Sequence, residues 1–79
     1  MQLEEYIKVL EAAGYNVSVK DNAVLEAIMI TISRGIYQIS GYISNYILLT
    51  IPENERNIVI LDFIKARVKE LDTRINEIL

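Results

Sequence analysis

The chain has 79 residues with no cysteine and no histidine, which excludes disulfides, thiol nucleophiles, imidazole bases and the usual zinc ligands. Eight basic against eleven acidic residues leave a net charge of −3, without the positive footprint that nucleic acid or an anionic membrane surface requires. With 52% apolar and 24% charged residues, the composition is that of one small folded domain. A domain of this size buries only about 60% of its unfolded surface and gains stability from self-association.

Residues 1–14 predict a helix. Leu3, Tyr6, Ile7, Leu10 and Ala13 recur at three and four, with Glu4, Glu5, Lys8 and Glu11 on the other side. Gly14 then suits the left-handed position that closes a helix. From Tyr15 the period changes to two, and residues 15–51 read as an antiparallel meander of three or four strands. Tyr15, Val17 and Val19 alternate with Asn16, Ser18 and Lys20, and Asp21-Asn22 reads as a turn. Next, Ile28, Ile30 and Ile32 alternate with Met29, Thr31 and Ser33. Glu26 shares the isoleucines' parity, so the strand is expected to begin after it or to bulge there. Arg34-Gly35 reads as a two-residue connection. A third run sets Tyr37, Ile39, Gly41 and Ile43 against Gln38, Ser40 and Tyr42. Ser44-Asn45 reads as a further turn before Tyr46–Ile51, or as a bulge in one long strand. The isoleucines of this region also fit helical spacing, but the density of β-branched residues and tyrosines, with Gly35 and Gly41 inside, favours strands.

Residues 52–79 predict a long helix. Thr50-Ile51-Pro52-Glu53 fits a capping box with proline in the first turn, and Glu53 and Glu55 suit the positive end of the helix dipole. Its first half is broadly apolar. Then Leu61, Ile64, Val68, Leu71, Ile75 and Ile78 step three, four, three, four, three, the spacing of a coiled-coil seam. At about 39 Å the helix outreaches a sheet of five- or six-residue strands, so its later turns are expected to pair with a second copy and make a homodimer. The architecture expected is α+β: N-terminal helix, meander, long C-terminal helix.

Little chemistry is visible. The acid pairs Glu4/Glu5, Glu53/Glu55 and Glu70/Asp72 fall on polar helix faces or termini, where solvation and dipole pairing account for them. No glycine-rich phosphate loop and no clustered acids for an oxygen-ligand metal site occur. Catalytic, cofactor and metal residues are therefore not assigned, and no cofactor is expected. Lys65, Arg67 and Lys69 are interleaved with Asp62, Glu70 and Asp72, which reads as a mixed-charge solvent face rather than a nucleic-acid site. Gly35–Pro52 carries no charge over 18 residues, but its amide and hydroxyl side chains and terminal proline argue against a membrane span. The acidic, amphipathic N-terminus has no signal-peptide pattern, and a cytoplasmic location, the host cytoplasm for a viral protein, is expected.

One face of the expected sheet stands out. It carries Asn16, Ser18, Met29, Thr31, Ser33, Gln38, Ser40, Tyr42 and, if the strand continues, Tyr46. A solvent-facing sheet normally displays lysine and glutamate, whereas a charge-poor face bearing tyrosines is the kind of surface that meets a partner. Ser18, Thr31, Gln38, Ser40, Tyr42 and Tyr46 are the expected partner-binding residues.

The element order, with Gly14-Tyr15-Asn16-Val17-Ser18-Val19 after the first helix and the strand-to-helix passage from Tyr46 to Val59, resembles small phage-encoded anti-CRISPR proteins that inhibit Cas nucleases. That resemblance implies a non-enzymatic inhibitor or adaptor from a phage or mobile element whose partner is a host defence nuclease. The chain departs from the acid clusters with which such inhibitors often fill a DNA groove, carrying only Asp21, Glu26, Glu53 and Glu55 near the sheet. A similar order occurs in small secretion-chaperone-like proteins, which dimerise. A structural self-assembly protein and a small acidic transcriptional accessory are the alternative readings.

Overall fold

The computed structural model describes residues 2–79. Helix α1 (Leu3–Ala12) leads into strands β1 (Tyr15–Asn22), β2 (Ala27–Arg34) and β3 (Tyr37–Ser44), followed by a short helix α2 (Asn45–Leu49) and the long helix α3 (Glu53–Ile78). The α+β order of helix, three-stranded antiparallel meander and long helix is the one expected from the periodicities. The strands lie in the order β1-β2-β3, paired without interruption from Tyr15↔Arg34 to Asn22↔Ala27 and from Ala27↔Ser44 to Arg34↔Tyr37.

Both helices cover the same side of the sheet. The apolar parity of the strands meets the helical stripes in one core built from Leu10, Tyr15, Ile30, Ile32, Ile39, Ile43, Leu48, Ile60, Ile64, Val68, Leu71 and Ile75. α1 lies toward β1. α3 lies over β2 and β3 and runs antiparallel to β3, since Ile75 neighbours Tyr37 at one end of the sheet and Ile60 neighbours Ile28 at the other. Gly14 closes α1 at φ 96, a conformation that costs glycine nothing and an L side chain about 1 kcal/mol or more.

Several local expectations are corrected. β1 continues through Asp21-Asn22, and the turn is the four residues 23–26, ending on Glu26 at φ 49. The second connection is Gly35-Ile36 rather than Arg34-Gly35, because Arg34 still pairs with Tyr37. Among the described residues there is no fourth strand. Ser44 accepts a hydrogen bond from the Tyr46 amide and starts α2, which buries Leu48 against the core. Tertiary burial of one leucine and a side-chain cap override the strand propensity of Tyr46–Ile51. Thr50 consequently does not cap α3. Its hydroxyl donates to the Ile47 carbonyl at 2.6 Å, and α3 begins after Pro52 without a side-chain cap.

The largest correction concerns the seam. Leu61, Ile64, Val68, Leu71 and Ile75 are buried within this chain, Ile64 completely, while Ile78 is exposed. The strands are eight residues long, so the sheet spans roughly 24 Å. The buried stretch of α3 from Ile60 to Ile75 spans roughly 22 Å, and it fits that sheet without overhang. The stripe that reads as an intermolecular seam is intramolecular core.

Two contacts fix how α3 sits. The Tyr15 hydroxyl donates to the Asp72 carboxylate, 2.6 and 2.7 Å from its two oxygens, and Arg34 Nη1 lies 3.3 Å from both groups. The Arg34 guanidinium also stands 5.2 Å from the Tyr15 ring centroid. These residues tie the first rung of the sheet to the last third of α3. Further along, Gly41 faces Phe63, and a methyl group at Gly41 would overlap that ring.

Gly41→Ala is expected to destabilise by about 1–3 kcal/mol through overpacking, and Phe63→Leu in the same chain should recover part of that loss; thermal denaturation of the four-member cycle measures the coupling. The Tyr15 phenol is pushed above its ordinary value of 10.0, first by burial and then by the Asp72 hydrogen bond and charge, with Arg34 opposing. The folded state therefore holds that proton more tightly than the unfolded chain. Its contribution is intact below pH 10.0 and is lost as pH rises through the folded-state value. Tyr15→Phe should flatten the alkaline fall in melting temperature; Tyr6, also raised by burial and Asp72, leaves a residual slope.

Candidate functional site

With both helices on one side, the other face of the sheet is left open. Its rungs follow from the register. Asn16, Ser33 and Gln38 form one row, Ser18, Thr31 and Ser40 the next, and Lys20, Met29 and Tyr42 a third. The middle row is a ladder of hydroxyls, with Thr31 Oγ1 and Ser40 Oγ 3.1 Å apart. Gln38, Ser40 and Tyr42 are exposed, while Ser18, Met29, Thr31 and Ser33 are half-buried by their neighbours across the strands. Tyr42 is 52% exposed, an aromatic ring at the end of a row that includes an exposed ammonium, Lys20.

Five of the six residues expected to meet a partner, Ser18, Thr31, Gln38, Ser40 and Tyr42, share this face. Tyr46 does not extend it, since it lies in the first turn of α2 and is 78% exposed there. Lys20 also belongs to the face, by its parity with Asn16 and Ser18, and is its one charged member beyond the expected partner-binding residues. A second apolar group lies at the adjoining end of the domain. The Asn45 amide donates to the Glu26 carbonyl at 2.8 Å, tying α2 to the 23–26 turn, and Val24, Leu25, Tyr46, Ile47 and Leu49 are exposed on these two segments.

The charged candidates are dispersed. Lys65 lies 5.6 Å from the Tyr6 ring centroid on the α1 side of α3, whereas Arg67 lies 5.0 Å from the Phe63 ring on the β3 side. Glu70 pairs with Arg67 at 2.9 Å and Arg74 at 2.7 Å, and Asp72 is engaged by Tyr15 and Arg34. Such half-exposed pairs are worth at most about 1 kcal/mol each. Glu4 and Glu5 occupy the first turn of α1, and Glu53 and Glu55 that of α3. Among the described residues no group of three or more acids is placed to hold a metal ion, and no helix is long and apolar enough to cross a membrane.

Arranged in this way, the open face offers hydrogen-bonding hydroxyl and amide groups around one exposed ring, with a single positive charge. No protein-family model matches the chain, and neither a curated protein nor a solved structure matches it.

Tyr42→Ala is expected to change stability by no more than about 0.5 kcal/mol, because the ring packs on no buried neighbour of the helix layer. Ile39→Ala, on the buried side of the same strand, should cost about 2–5 kcal/mol. Urea denaturation of both variants measures the difference between the two faces.

Proposed function

We propose that this chain is a non-enzymatic protein-binding module, an inhibitor or adaptor acting on a host protein as a homodimer, which docks through the open face of its sheet. One observation carries the reading: a sheet of roughly 24 Å has α1 and α3 on one side and leaves the other side nearly uncharged, with Tyr42 standing out of it. A surface that only faces water does not require the loss of lysine and glutamate, whereas desolvation by a partner penalises them and favours tyrosine with small hydroxyl residues.

The helix–meander–helix order is the one that the sequence resemblance to small phage-encoded Cas nuclease inhibitors implies, and a host defence nuclease is the partner class we propose from that resemblance. The acids give no support to mimicry of DNA. Glu70 is engaged with Arg67 and Arg74 on α3 and Asp72 with Arg34 at the end of β2, and the open face itself carries Lys20 rather than an acidic cluster.

A photo-crosslinking residue at Gln38 tests the docking face, with Glu77 near the end of α3 as the comparison position. Crosslinking in a bacterial host should yield, from position 38, one discrete adduct with a protein other than this chain, lost in the Tyr42→Ala background and absent from position 77. Equal adducts from both positions, or an adduct indifferent to Tyr42, would show that the open face is not the docking surface.

A further inference from the structure

The geometry points to the free edge of β3 as the interface between two copies of this chain. This rests on the homodimer reading above and assigns it a place, now that the α3 stripe is occupied by the core. The sheet has two edges, and they differ. β1 carries Lys20 and Asp21, charges of the kind that discourage strand addition. β3, Tyr-Gln-Ile-Ser-Gly-Tyr-Ile-Ser, is eight residues long with no charge, no proline and no bulge, since every residue pairs with β2 in unbroken register. Among the described residues, no backbone or side-chain hydrogen bond from outside the sheet reaches the β3 backbone. Its outward N–H and C=O groups form a row ready for another strand.

The occupant that fits is a second β3 in antiparallel sense. A two-fold axis through Ser40 pairs Ser40 with itself, Gln38 with Tyr42, Ile39 with Gly41 and Tyr37 with Ile43. Each pair then joins residues of the same face, so the polar row continues into the copy's polar row and the apolar row into its apolar row. The pairing of Ile39 with Gly41 sets a large residue beside the position where Phe63 takes the place of a side chain.

The helix layer is compatible. Because Phe63 and Arg67 lie over Gly41, the flank of α3 above the β3 edge carries Phe63, Arg67, Glu70 and Arg74. The series Arg67, Glu70, Arg74 reads the same in reverse, so an antiparallel copy offset by one group sets Glu70 of each chain against Arg67 of the other. The contact is thus two layers deep. A standard interface takes about 800 Å² from each partner, roughly a seventh of the 5578 Å² surface of this small chain. The product is a six-stranded sheet whose open faces merge into one surface. The charged β1 edges at its two ends stop further addition.

Sedimentation equilibrium at micromolar protein tests the assignment. The wild type should be a dimer. Ser40→Lys and Ser40→Glu each place like charges across the axis and should be monomers with unchanged circular dichroism, as Ser40 is exposed. Mixing the two variants should restore a dimer, a result that misfolding cannot imitate. A monomeric wild type would overturn the homodimer reading and this interface together. A wild-type dimer that survives both substitutions, or that the mixture fails to restore, would overturn the β3 edge alone, and growth into higher polymers would overturn the two-fold arrangement.

Discussion

The packing of one long helix against one face of a three-stranded sheet governs the rest of this molecule. α3 buries Ile60, Ile64, Val68, Leu71 and Ile75, with Ile64 at 0% and Leu71 at 2% exposure, in one core with Ile30, Ile32, Ile39 and Ile43 of the strands. Each of these side chains contributes about 1.5–3 kcal/mol when fully buried, which makes the α3 stripe the largest single source of apolar stabilisation in the chain. A chain of this length has no third layer to offer. α1 fills the remaining width of the same face beside β1, and the opposite face stays uncovered.

Specific contacts decide how α3 lies on that face. Apolar burial alone would tolerate sliding by a turn. At one end the Arg56 Nε donates to the Leu48 carbonyl at 3.0 Å, so α3 is tied to the short helix that precedes it. At the other end Asp72 receives the Tyr15 hydroxyl and stands beside Arg34. Between them Gly41 admits the Phe63 ring. The polar contacts are modest in net energy and largely solvent-accessible, and their effect is to choose one register among several that burial would allow.

One-sided packing also divides the surface into parts with different chemistry. The helix layer carries most of the charge, with Glu70 paired to Arg67 and Arg74 along α3, whereas the open face carries hydroxyls, amides and Tyr42. The two edges divide likewise, charged on β1 and uncharged on β3. Partner binding across the open face and self-pairing along β3 are mutually compatible proposals, since one uses side chains normal to the sheet and the other uses backbone groups in its plane. Dimerisation at β3 would double the area presented by the open face while leaving the helix layer exposed on the far side.

The periodicities alone were enough for the order of elements and for the two faces of each strand. Alternation at 15–19, 28–33 and 37–43 is a local property, because successive strand residues point to opposite sides whatever surrounds them. Gly14 was legible as a helix end for a similarly local reason. The expected face residues Ser18, Thr31, Gln38, Ser40 and Tyr42 lie together on this account, and Lys20 joins them by the same rule. Tertiary packing decided everything that depends on which surface an apolar group meets. Tyr46–Leu49 is dense in residues that favour strands, yet it folds as a helix because Leu48 finds the core and Ser44 caps the turn. The stripe from Leu61 to Ile75 has the spacing of a seam between chains, but spacing cannot distinguish a neighbouring helix from the chain's own sheet. Strands of eight residues matched the buried length of α3, and an apolar stripe with an intramolecular surface of its own length packs there first, at an effective concentration that no second chain reaches.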